Sequence, residues 1–470
     1  MSELHDECGV FGIYKNDKDM DIVEETYLAL YALQHRGQVG AGIAVNNDGN
    51  MIYYKDHGMI PEALPEAELN RLGNGTIALG HVKYSSGEAV DHQNLAPLVM
   101  RYIKGQLALC MNGALTNYHV LRDDLNQGAA IFQSNGDTEI IAYLIARARI
   151  NAVTIEEAVQ TAVKQLKGAY AIVMMSPSKL IGVRDPLGIR PLCVGKIGES
   201  YVLASESCVF DSLGGTFIRD VQPGEMIVID EEGMHSYTEG CGDKSALCLF
   251  EYVYFSRPDS VVDGVSVAKA RQRAGMLLAR QHPVEADFVC GVPDCGVESA
   301  IGYSMESGIR YSTGLIKNKY IGRAFNNRKK NSEYLMRIKL NALTHNVEGK
   351  RVIVIDDSIL KGSTSKHIVE LLRQAGAKEV HMRIASPVFK NPCFLTSDTT
   401  PKEDLIGAKM DFDEICRYIG ADSLGFLSAE SLSEIAKECK LNFCDACFTG
   451  NYPLDVSDTS RDDKYSKKIK

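Results

Sequence analysis

Several features that would direct a chain to a membrane or to nucleic acid are missing from this sequence. Residues 1–7, MSELHDE, have neither a basic start nor an apolar segment, so we expect no signal peptide. Apolar runs stay well short of the roughly 20 residues that a membrane-spanning helix needs. Basic residues are not in excess: the net charge is −10, which argues against binding to nucleic acid or an anionic membrane. We therefore expect a cytoplasmic protein.

The composition is that of an ordinary folded chain with more than one domain. At 470 residues, of which 45% are hydrophobic, the sequence has ample material for two cores. It contains thirteen cysteines at irregular spacing. In a chain without a secretion signal, this pattern favours free thiols, metal ligands or a nucleophile over disulfides.

The two halves differ in their hydrophobic pattern. Short apolar runs broken by glycine in the first half indicate antiparallel sheets, with helices between them, up to about residue 230. A polar stretch at 231–245 predicts the domain boundary. From Leu247 strands alternate with helices, which predicts a doubly wound parallel sheet. The predicted first-half strands are 107–111, 169–175, 180–183 and 201–204, with helices at 139–149 and 155–166; the second half has helices at 267–280 and 297–305 and strands at 288–292 and 380–385.

One stretch of the second half, RVIVIDDSILKGSTS at 351–365, has the pattern of a phosphate site. A buried strand over 351–355 ends at Asp356 and Asp357, and a small-residue turn leads into a helix with apolar residues at helical spacing. Backbone N–H groups at such a helix start bind anions, and two carboxylates suit ribose hydroxyls with a hydrated Mg²⁺. The Walker spacing of NTPases is missing. The alternative is a capped helix after an acidic turn, with no ligand.

This stretch resembles the phosphoribosyl-pyrophosphate (PRPP) signature of type I phosphoribosyltransferases. The resemblance implies that Asp356 and Asp357 hold the ribose hydroxyls and Mg²⁺, and that the following turn holds the 5′-phosphate. The residues it assigns to PRPP are Asp356, Asp357, Ser358, Lys361, Gly362, Ser363, Thr364 and Ser365.

Two further segments belong to the same expectation. Residues 317–339 contain eight Lys or Arg against one acid. A solvated surface loop explains such a run, whereas the family resemblance implies a lid over PRPP, with Lys317, Arg323 and Lys339 in contact with it. The segment GVPDCG at 291–296 could bind pyrophosphate through its backbone. Cys295 stands where the family usually has serine.

Motifs in the first half point to a cysteine nucleophile. Cys8 is followed by GVFG, and the chain continues through LQHRGQ (33–38), GHVKYS (80–85), Asn112-Gly113 and GDTE (136–139). Together these resemble the class II glutamine amidotransferases, which are N-terminal-nucleophile hydrolases, over residues 8 to about 220.

This second resemblance implies a mechanism. Cys8 would attack glutamine with its own α-amine as the base, which requires the removal of residues 1–7 as a propeptide. The side chain of Asn112 and the N–H of Gly113 would stabilise the oxyanion. Asp137 would bind the α-ammonium, although it could instead cap a helix. Lys83, where the family has arginine, would bind the carboxylate, with Arg36 as the alternative.

Four cysteines have a different setting. Cys444 and Cys447 form a C-x-x-C pair, which alone indicates zinc or a redox pair. The contexts FCDACFTGNYP, CLFEYVYFSRPDS (Cys248) and PVFKNPCF (Cys393) resemble the iron-sulfur-containing branch of the glutamine PRPP amidotransferase family. That resemblance implies a structural [4Fe–4S] cluster on these four thiolates.

Residues 8–453 therefore resemble this family as a whole. The implied chain has a propeptide (1–7), an α+β N-terminal-nucleophile hydrolase domain (8–235), an α/β type I phosphoribosyltransferase domain with the cluster-bound segment (246–453) and a disordered polar tail (454–470). The implied reaction makes 5-phosphoribosylamine from glutamine and PRPP in a homo-oligomer, dimer or tetramer, inhibited by purine nucleotides. The alternatives are another class II amidotransferase, which needs only Cys8, and a PRPP-sensing regulator, which needs only the second motif.

Overall fold

The N-terminal half is a sandwich of two antiparallel sheets. The computed structural model describes residues 8–85, 90–320, 338–396, 400–457 and 459. The strands are β1 (Gly9–Tyr14), β2 (Gly40–Asn47), β3 (Asn50–His57), β4 (Ile77–Lys83), β5 (Leu98–Tyr102), β6 (Gly105–Leu115), β7 (Gly168–Met175), β8 (Leu180–Arg184), β9 (Cys193–Ile197), β10 (Ser200–Ala204), β11 (Thr216–Asp220), β12 (Met226–Asp230) and β13 (Gly233–Tyr237). One sheet has the order β11-β9-β10-β1-β4-β2-β3 and the other β13-β12-β8-β7-β6-β5.

Helices cover the outer face of each sheet, which makes four layers. Val10 of β1 packs between the sheets, whereas its neighbour Phe11 packs under the helices, because successive strand residues face opposite sides. Between the sheets, Val10 joins a core that includes Cys110 and Val173 of the second sheet. The helices are α1 (Ile22–Ala32), α2 (Ile60–Ala63), α3 (Glu66–Leu72), α4 (Tyr118–Gln127), α5 (Asp137–Ala148), α6 (Ile155–Val163) and α7 (Cys208–Ser212).

The C-terminal half contains a parallel sheet that is buried on both faces. Val352 and Val354 pack on one side of the sheet and Ile353 and Ile355 on the other, so the four consecutive positions 352–355 are all apolar. The strands are β14 (Leu247–Cys248), β15 (Val261–Val262), β16 (Val265–Ser266), β17 (Phe288–Gly291), β18 (Leu315–Lys317), β19 (Leu340–Ala342), β20 (Arg351–Asp356), β21 (Glu379–Ile384), β22 (Ser423–Phe426) and β23 (Phe443–Cys444). The central sheet has the order β17-β20-β21-β22.

Helices flank this sheet on both sides. They are α8 (Val267–Gln281), α9 (Gly296–Ser307), α10 (Thr344–Val347), α11 (Ser363–Gln374), α12 (Phe412–Ile419), α13 (Leu432–Ile435) and α14 (Ala446–Thr449), and a π-helical turn at Glu251–Phe255 precedes them. The predicted fold class, an antiparallel sandwich followed by a parallel α/β sheet, is confirmed. No described helix is long and apolar enough to cross a membrane.

The predicted end of the first domain, residue 235, falls two residues before the end of its last strand, β13. The polar stretch 231–245 contains β13, which pairs with β12 as far as Tyr237 opposite Met226. An edge strand with half-exposed side chains carries a weak apolar signal, so its polar sequence looked like a linker.

The ends of the chain lie partly outside the described residues. The predicted propeptide, residues 1–7, and the chain from 460 onward are not among them. The predicted tail begins too early, since Leu454 and Val456 are partly buried against the segment that carries Cys393 and Cys444.

Candidate active sites

The predicted nucleophile lies at the start of the central strand of the first sheet. Cys8 is 2% exposed, and its thiol is free of any disulfide. The next residue, Gly9, pairs with Val82 of β4. Cys8 and Lys83, the last residue of β4, therefore lie at the same end of neighbouring strands, and the Lys83 side chain is half-buried.

Asn112 lies on β6 of the second sheet, next to the point where this strand contacts β4 of the first sheet. A hydrogen bond joins the sheets there, between His81 Nε2 on β4 and the carbonyl of Met111 on β6, at 3.2 Å. Burial, together with the charge of Lys83, lowers the pKa of His81 to about 3, so this ring stays neutral. Both polar atoms of the Asn112 side chain are buried and make no hydrogen bond within the described residues. A buried amide in that state is costly unless a ligand completes its hydrogen bonds.

Gly113 can only be glycine. Its φ is +117°, and a Cβ there would lie 2.0 Å from the carbonyl oxygen of Ala169 on β7. The backbone at Gly113 thus has a positive φ that side chains other than glycine rarely adopt.

Asp137 reaches the same strand from a helix. It is the first residue of α5, and the N-cap is Gly136, so the capping alternative is not what is observed. The Asp137 carboxylate accepts a hydrogen bond from the N–H of Leu115, two residues beyond Gly113, at 3.3 Å. Glu139 was not among the predicted site residues. Its buried carboxylate accepts hydrogen bonds from the N–H and the Oγ–H of Ser134 and so holds the loop before the helix in place.

Arg36 does not lie where a substrate carboxylate would need it. Its terminal nitrogens donate to Glu206 at 2.6 Å and to Glu251 at 2.9 and 3.0 Å. Burial alone would lower the pKa of Arg36, but the charges of Glu251 and Glu206 raise it. Its Nε donates to the carbonyl of Cys8 at 3.2 Å. The guanidinium of Arg36 is thus occupied by Glu206, Glu251 and the Cys8 carbonyl, which favours Lys83 over Arg36 as the ligand of the glutamine carboxylate.

The second predicted site follows the central strand of the parallel sheet. Asp356 ends β20, and the N–H of Asp357 donates to the Asp356 carboxylate at 3.0 Å. Ser358 Oγ donates to Asp357 at 2.5 Å. Burial, together with the charge of Asp357, raises the pKa of Asp356 well above its usual range. Two adjacent buried carboxylates of this kind are stabilised by a cation.

The turn after the two aspartates leads into the N-terminus of α11. Gly362 has a φ of +82°, and a Cβ there would lie 2.7 Å from Cδ1 of Ile406. Ser363, Thr364 and Ser365 form the first turn of the helix, where backbone N–H groups have no helical partner. The ammonium of Lys361, which we expect to contact the 5′-phosphate, lies 3.4 Å from the Asp404 carboxylate on the surface.

A cavity of about 500 Å³ lies between the two halves of the chain, and we call it the junction cavity. Gln34, His35 and Gln38 line it from the first half, and Asp356 and Asp357 from the second. Among the further lining residues are Lys317, Lys339, Pro293, Asp294, Cys295 and Thr364. Arg323 lies outside the described residues.

The loop before α9 and the strand pair β18–β19 form one wall of the junction cavity. Lys317 and Leu340 pair across this ladder, with Lys339 adjacent. The ammonium of Lys317 lies 2.5 Å from the carboxylate of Asp294. Burial raises the pKa of the Cys295 thiol, and the negative charge of Asp357 raises it further.

The four cysteines predicted to bind the cluster lie close together in the fold although they are far apart in sequence. Cys248 and Cys444 pair directly in the β14–β23 ladder. The N–H of Asn391, near Cys393, donates to the carbonyl of Cys447 at 3.1 Å. Burial raises the pKa of Cys447, and the thiols of Cys393, Cys248 and Cys444 raise it further. None of the thirteen cysteines, all within the described chain, forms a disulfide.

These thiols are not arranged around a single ion. Across the described residues, no three His, Cys, Asp or Glu side chains form a group that could hold one metal ion. A [4Fe–4S] cluster binds each thiolate to a different iron, so its ligand sulfurs lie further apart than those around one ion. Cys248, Cys393, Cys444 and Cys447 are the residues that would hold the predicted cluster.

Two family models match the chain, one in each half. The model described as a glutamine amidotransferase domain matches residues 88–212. The model described as a phosphoribosyl transferase domain matches residues 278–406.

Curated relatives and solved structures match the whole chain. The amidophosphoribosyltransferase of Bacillus subtilis is 43% identical over 459 residues, covering 96% of this chain and 95% of the relative. That of Synechocystis is 44% identical, covering 97% and 93%. A solved structure described as the allosteric regulatory enzyme of purine biosynthesis has a TM-score of 0.91 at 42% identity and covers 98% of this chain and 100% of its own. The B. subtilis glutamine PRPP amidotransferase solved with ADP and GMP has a TM-score of 0.88 at 43% identity, covering 96% and 99%.

The geometry at Gly113 gives a first prediction. Gly113→Ala should lower the thermal unfolding midpoint by several degrees, because a clash with the Ala169 carbonyl costs about 1–3 kcal/mol beyond the backbone strain. The matched control is Gly105→Ala on the same strand, with a φ of +121° and open space to 3.6 Å. Equal losses of thermal midpoint in the two variants would show that the contact with Ala169 is not what requires glycine.

Proposed function

The chain belongs to the amidophosphoribosyltransferase family, and from this premise we propose how the residues of its two active sites divide the reaction. The enzyme transfers the amide nitrogen of glutamine to PRPP and yields 5-phosphoribosylamine, glutamate and pyrophosphate, the committed step of purine biosynthesis. The observation that carries our assignment of residues is the junction cavity, because both halves of the chain line it.

The first half-reaction takes place at Cys8. Once residues 1–7 are removed, the α-amine of Cys8 accepts the thiol proton, and the sulfur attacks the amide carbon of glutamine. Ammonia leaves and a γ-glutamyl thioester remains, which water then hydrolyses to glutamate and the free thiol. The unpartnered Asn112 amide and the N–H of Gly113 bind the oxyanion, a role supported by the buried, unfilled hydrogen-bonding capacity at Asn112.

Two charged residues bind the ends of the substrate amino acid. Asp137 takes the α-ammonium and Lys83 the α-carboxylate, which is supported by their positions near Gly113 and Cys8. Arg36 instead positions the nucleophile, because its Nε holds the Cys8 carbonyl while both terminal nitrogens are held by carboxylates.

The second half-reaction takes place at the carboxyl end of β20. Asp356 and Asp357 would hold the ribose hydroxyls and Mg²⁺, which supplies positive charge against the pyrophosphate when bound. Ser358 and the turn from Lys361 to Ser365 hold the 5′-phosphate at the start of α11. Lys317 and Lys339 face the pyrophosphate, and Arg323 keeps its predicted role. Ammonia crosses the junction cavity and displaces pyrophosphate from C1 on the opposite face.

The four converging thiols suit a [4Fe–4S] cluster with a structural role. Cys248, Cys393, Cys444 and Cys447 would hold it and fasten the C-terminal segment to the start of the transferase domain. The reaction moves no electron, so no step passes through this site.

We also propose control by purine nucleotides and assembly into a homo-oligomer, dimer or tetramer. The support for nucleotide binding is the similar B. subtilis enzyme, whose structure contains ADP and GMP. The assembly is proposed from the family resemblance alone.

The division into two sites is tested with Cys8→Ala. Formation of 5-phosphoribosylamine from glutamine should be abolished, while formation from ammonia should persist, because the alanine removes the thiol and leaves the transferase site intact. The readout is pyrophosphate release with each nitrogen source. Cys110→Ala is the control, since this buried thiol lies on β6 and has no part in the proposal. Loss of both activities in folded Cys8→Ala protein would contradict two separable sites.

The third prediction concerns Lys83. Lys83→Arg should lower the KM for glutamine several-fold, since a guanidinium binds a carboxylate through two hydrogen bonds worth about 1.5–3 kcal/mol each. Lys83→Ala should raise that KM strongly, and ammonia-dependent turnover should change in neither variant. Lys15→Ala, beyond the far end of β1, serves as the control. Unchanged glutamine kinetics in Lys83→Ala would remove this residue from the site.

A further inference from the structure

A segment of the N-terminal domain lies directly against the cysteine site. The N–H of Cys248 donates to the carbonyl of Ile189 at 3.2 Å, and the N–H of Ala246 donates to that of Leu187 at 2.7 Å. Ile189 is 1% exposed and packs in one apolar cluster with Leu395, Cys248, Cys393 and Cys444. The site proposed for the cluster is therefore covered by both domains, not by the transferase domain alone.

The next residue of that segment, Arg190, is a fully enclosed cation. It is 1% exposed, and its Nη2 donates to the carbonyl of Leu395, two residues beyond Cys393, at 2.6 Å. Its Nη1 lies 3.7 Å from Glu251, three residues beyond Cys248. The guanidinium carbon is 5.9 Å from the centre of the Phe255 ring. Arg190 thus touches the segments that carry two of the four cysteines.

A third cysteine lies beside the same segment, since Cys444 packs in one apolar cluster with Ile189, the residue before Arg190. Four thiolates in a buried site need a positive charge nearby, because the enclosed medium screens their mutual repulsion poorly.

We propose that Arg190 is the cation through which the N-terminal domain stabilises the cluster-bearing site and sets its electrostatic potential. This inference rests on the [4Fe–4S] site proposed above. Arg190 ligates no iron; it neutralises the thiolates from outside and holds the Cys393 segment through Leu395. Protein charges and hydrogen bonds around a cluster tune its reduction potential. A buried guanidinium beside the site should therefore change the midpoint potential measurably.

The test compares the charge at position 190 in the iron-loaded, full-length protein. Arg190→Gln should shift the midpoint reduction potential to more negative values, because an added electron loses a nearby positive charge, and its visible absorption should bleach several-fold faster in air. Arg190→Lys should keep the potential close to that of the unaltered protein. Arg383→Gln is the control, because Arg383 is a similarly buried arginine whose guanidinium donates to the carbonyls of His282 and Met382 in the transferase domain.

A second variant keeps the test decisive where Arg190→Gln does not fold. Arg190→Met also removes the charge but keeps a long, flexible apolar side chain in the enclosed site, so its potential should likewise shift to more negative values. Unchanged potentials in folded Arg190→Gln or Arg190→Met would overturn the role of Arg190 and leave the cluster in place. Unaltered protein that contains zinc and no iron would overturn the proposed cluster, and this inference with it.

Discussion

The interaction on which the two sites most depend is the buried ion pair between Arg36 and Glu251. Arg36 belongs to the first domain and Glu251 to the second, and both side chains are fully excluded from solvent. Glu206 completes the charge balance, and its pKa stays low because, although burial raises it, His35 and Arg36 outweigh that effect. Removing one partner of such a set leaves an uncompensated buried charge, which costs about 3–5 kcal/mol. The guanidinium of Arg36 also donates to the Cys8 carbonyl. The contact that holds the two domains together therefore also positions the nucleophile.

The junction cavity explains why the domains must be held together so firmly. In bulk water ammonia picks up a proton and ceases to be a nucleophile, so its transfer has to take place away from solvent. His35 lines the cavity from the first domain and also contacts Glu206, at 2.6 Å. The ion network that positions Cys8 therefore also forms part of the wall that faces Asp356 and Asp357.

Much of the fold and of the candidate sites could be predicted from the sequence, because the patterns that indicate them lie within short segments. The β-branched run before Asp356 and the glycine-broken runs of the first half predicted the two sheet types, and the motifs around Cys8 and Asn112 indicated the first site. The contacts that could not be predicted join distant segments. The sequence does not state that Arg36 pairs with Glu251, 215 positions away, or that Lys361 turns to Asp404. The edge strand β13 was missed because its side chains are half-exposed and polar.

The most direct measurement follows the nitrogen atom itself. The enzyme is supplied with glutamine carrying heavy nitrogen in its amide. Ordinary ammonium ions are present at a concentration too low to support measurable ammonia-dependent turnover but far above that of the ammonia released, and the isotope content of 5-phosphoribosylamine is read by mass spectrometry. Our account predicts that the product keeps the heavy nitrogen, because ammonia passes from Cys8 to the PRPP site inside the junction cavity. A product whose label is diluted in proportion to the free ammonium would contradict the account.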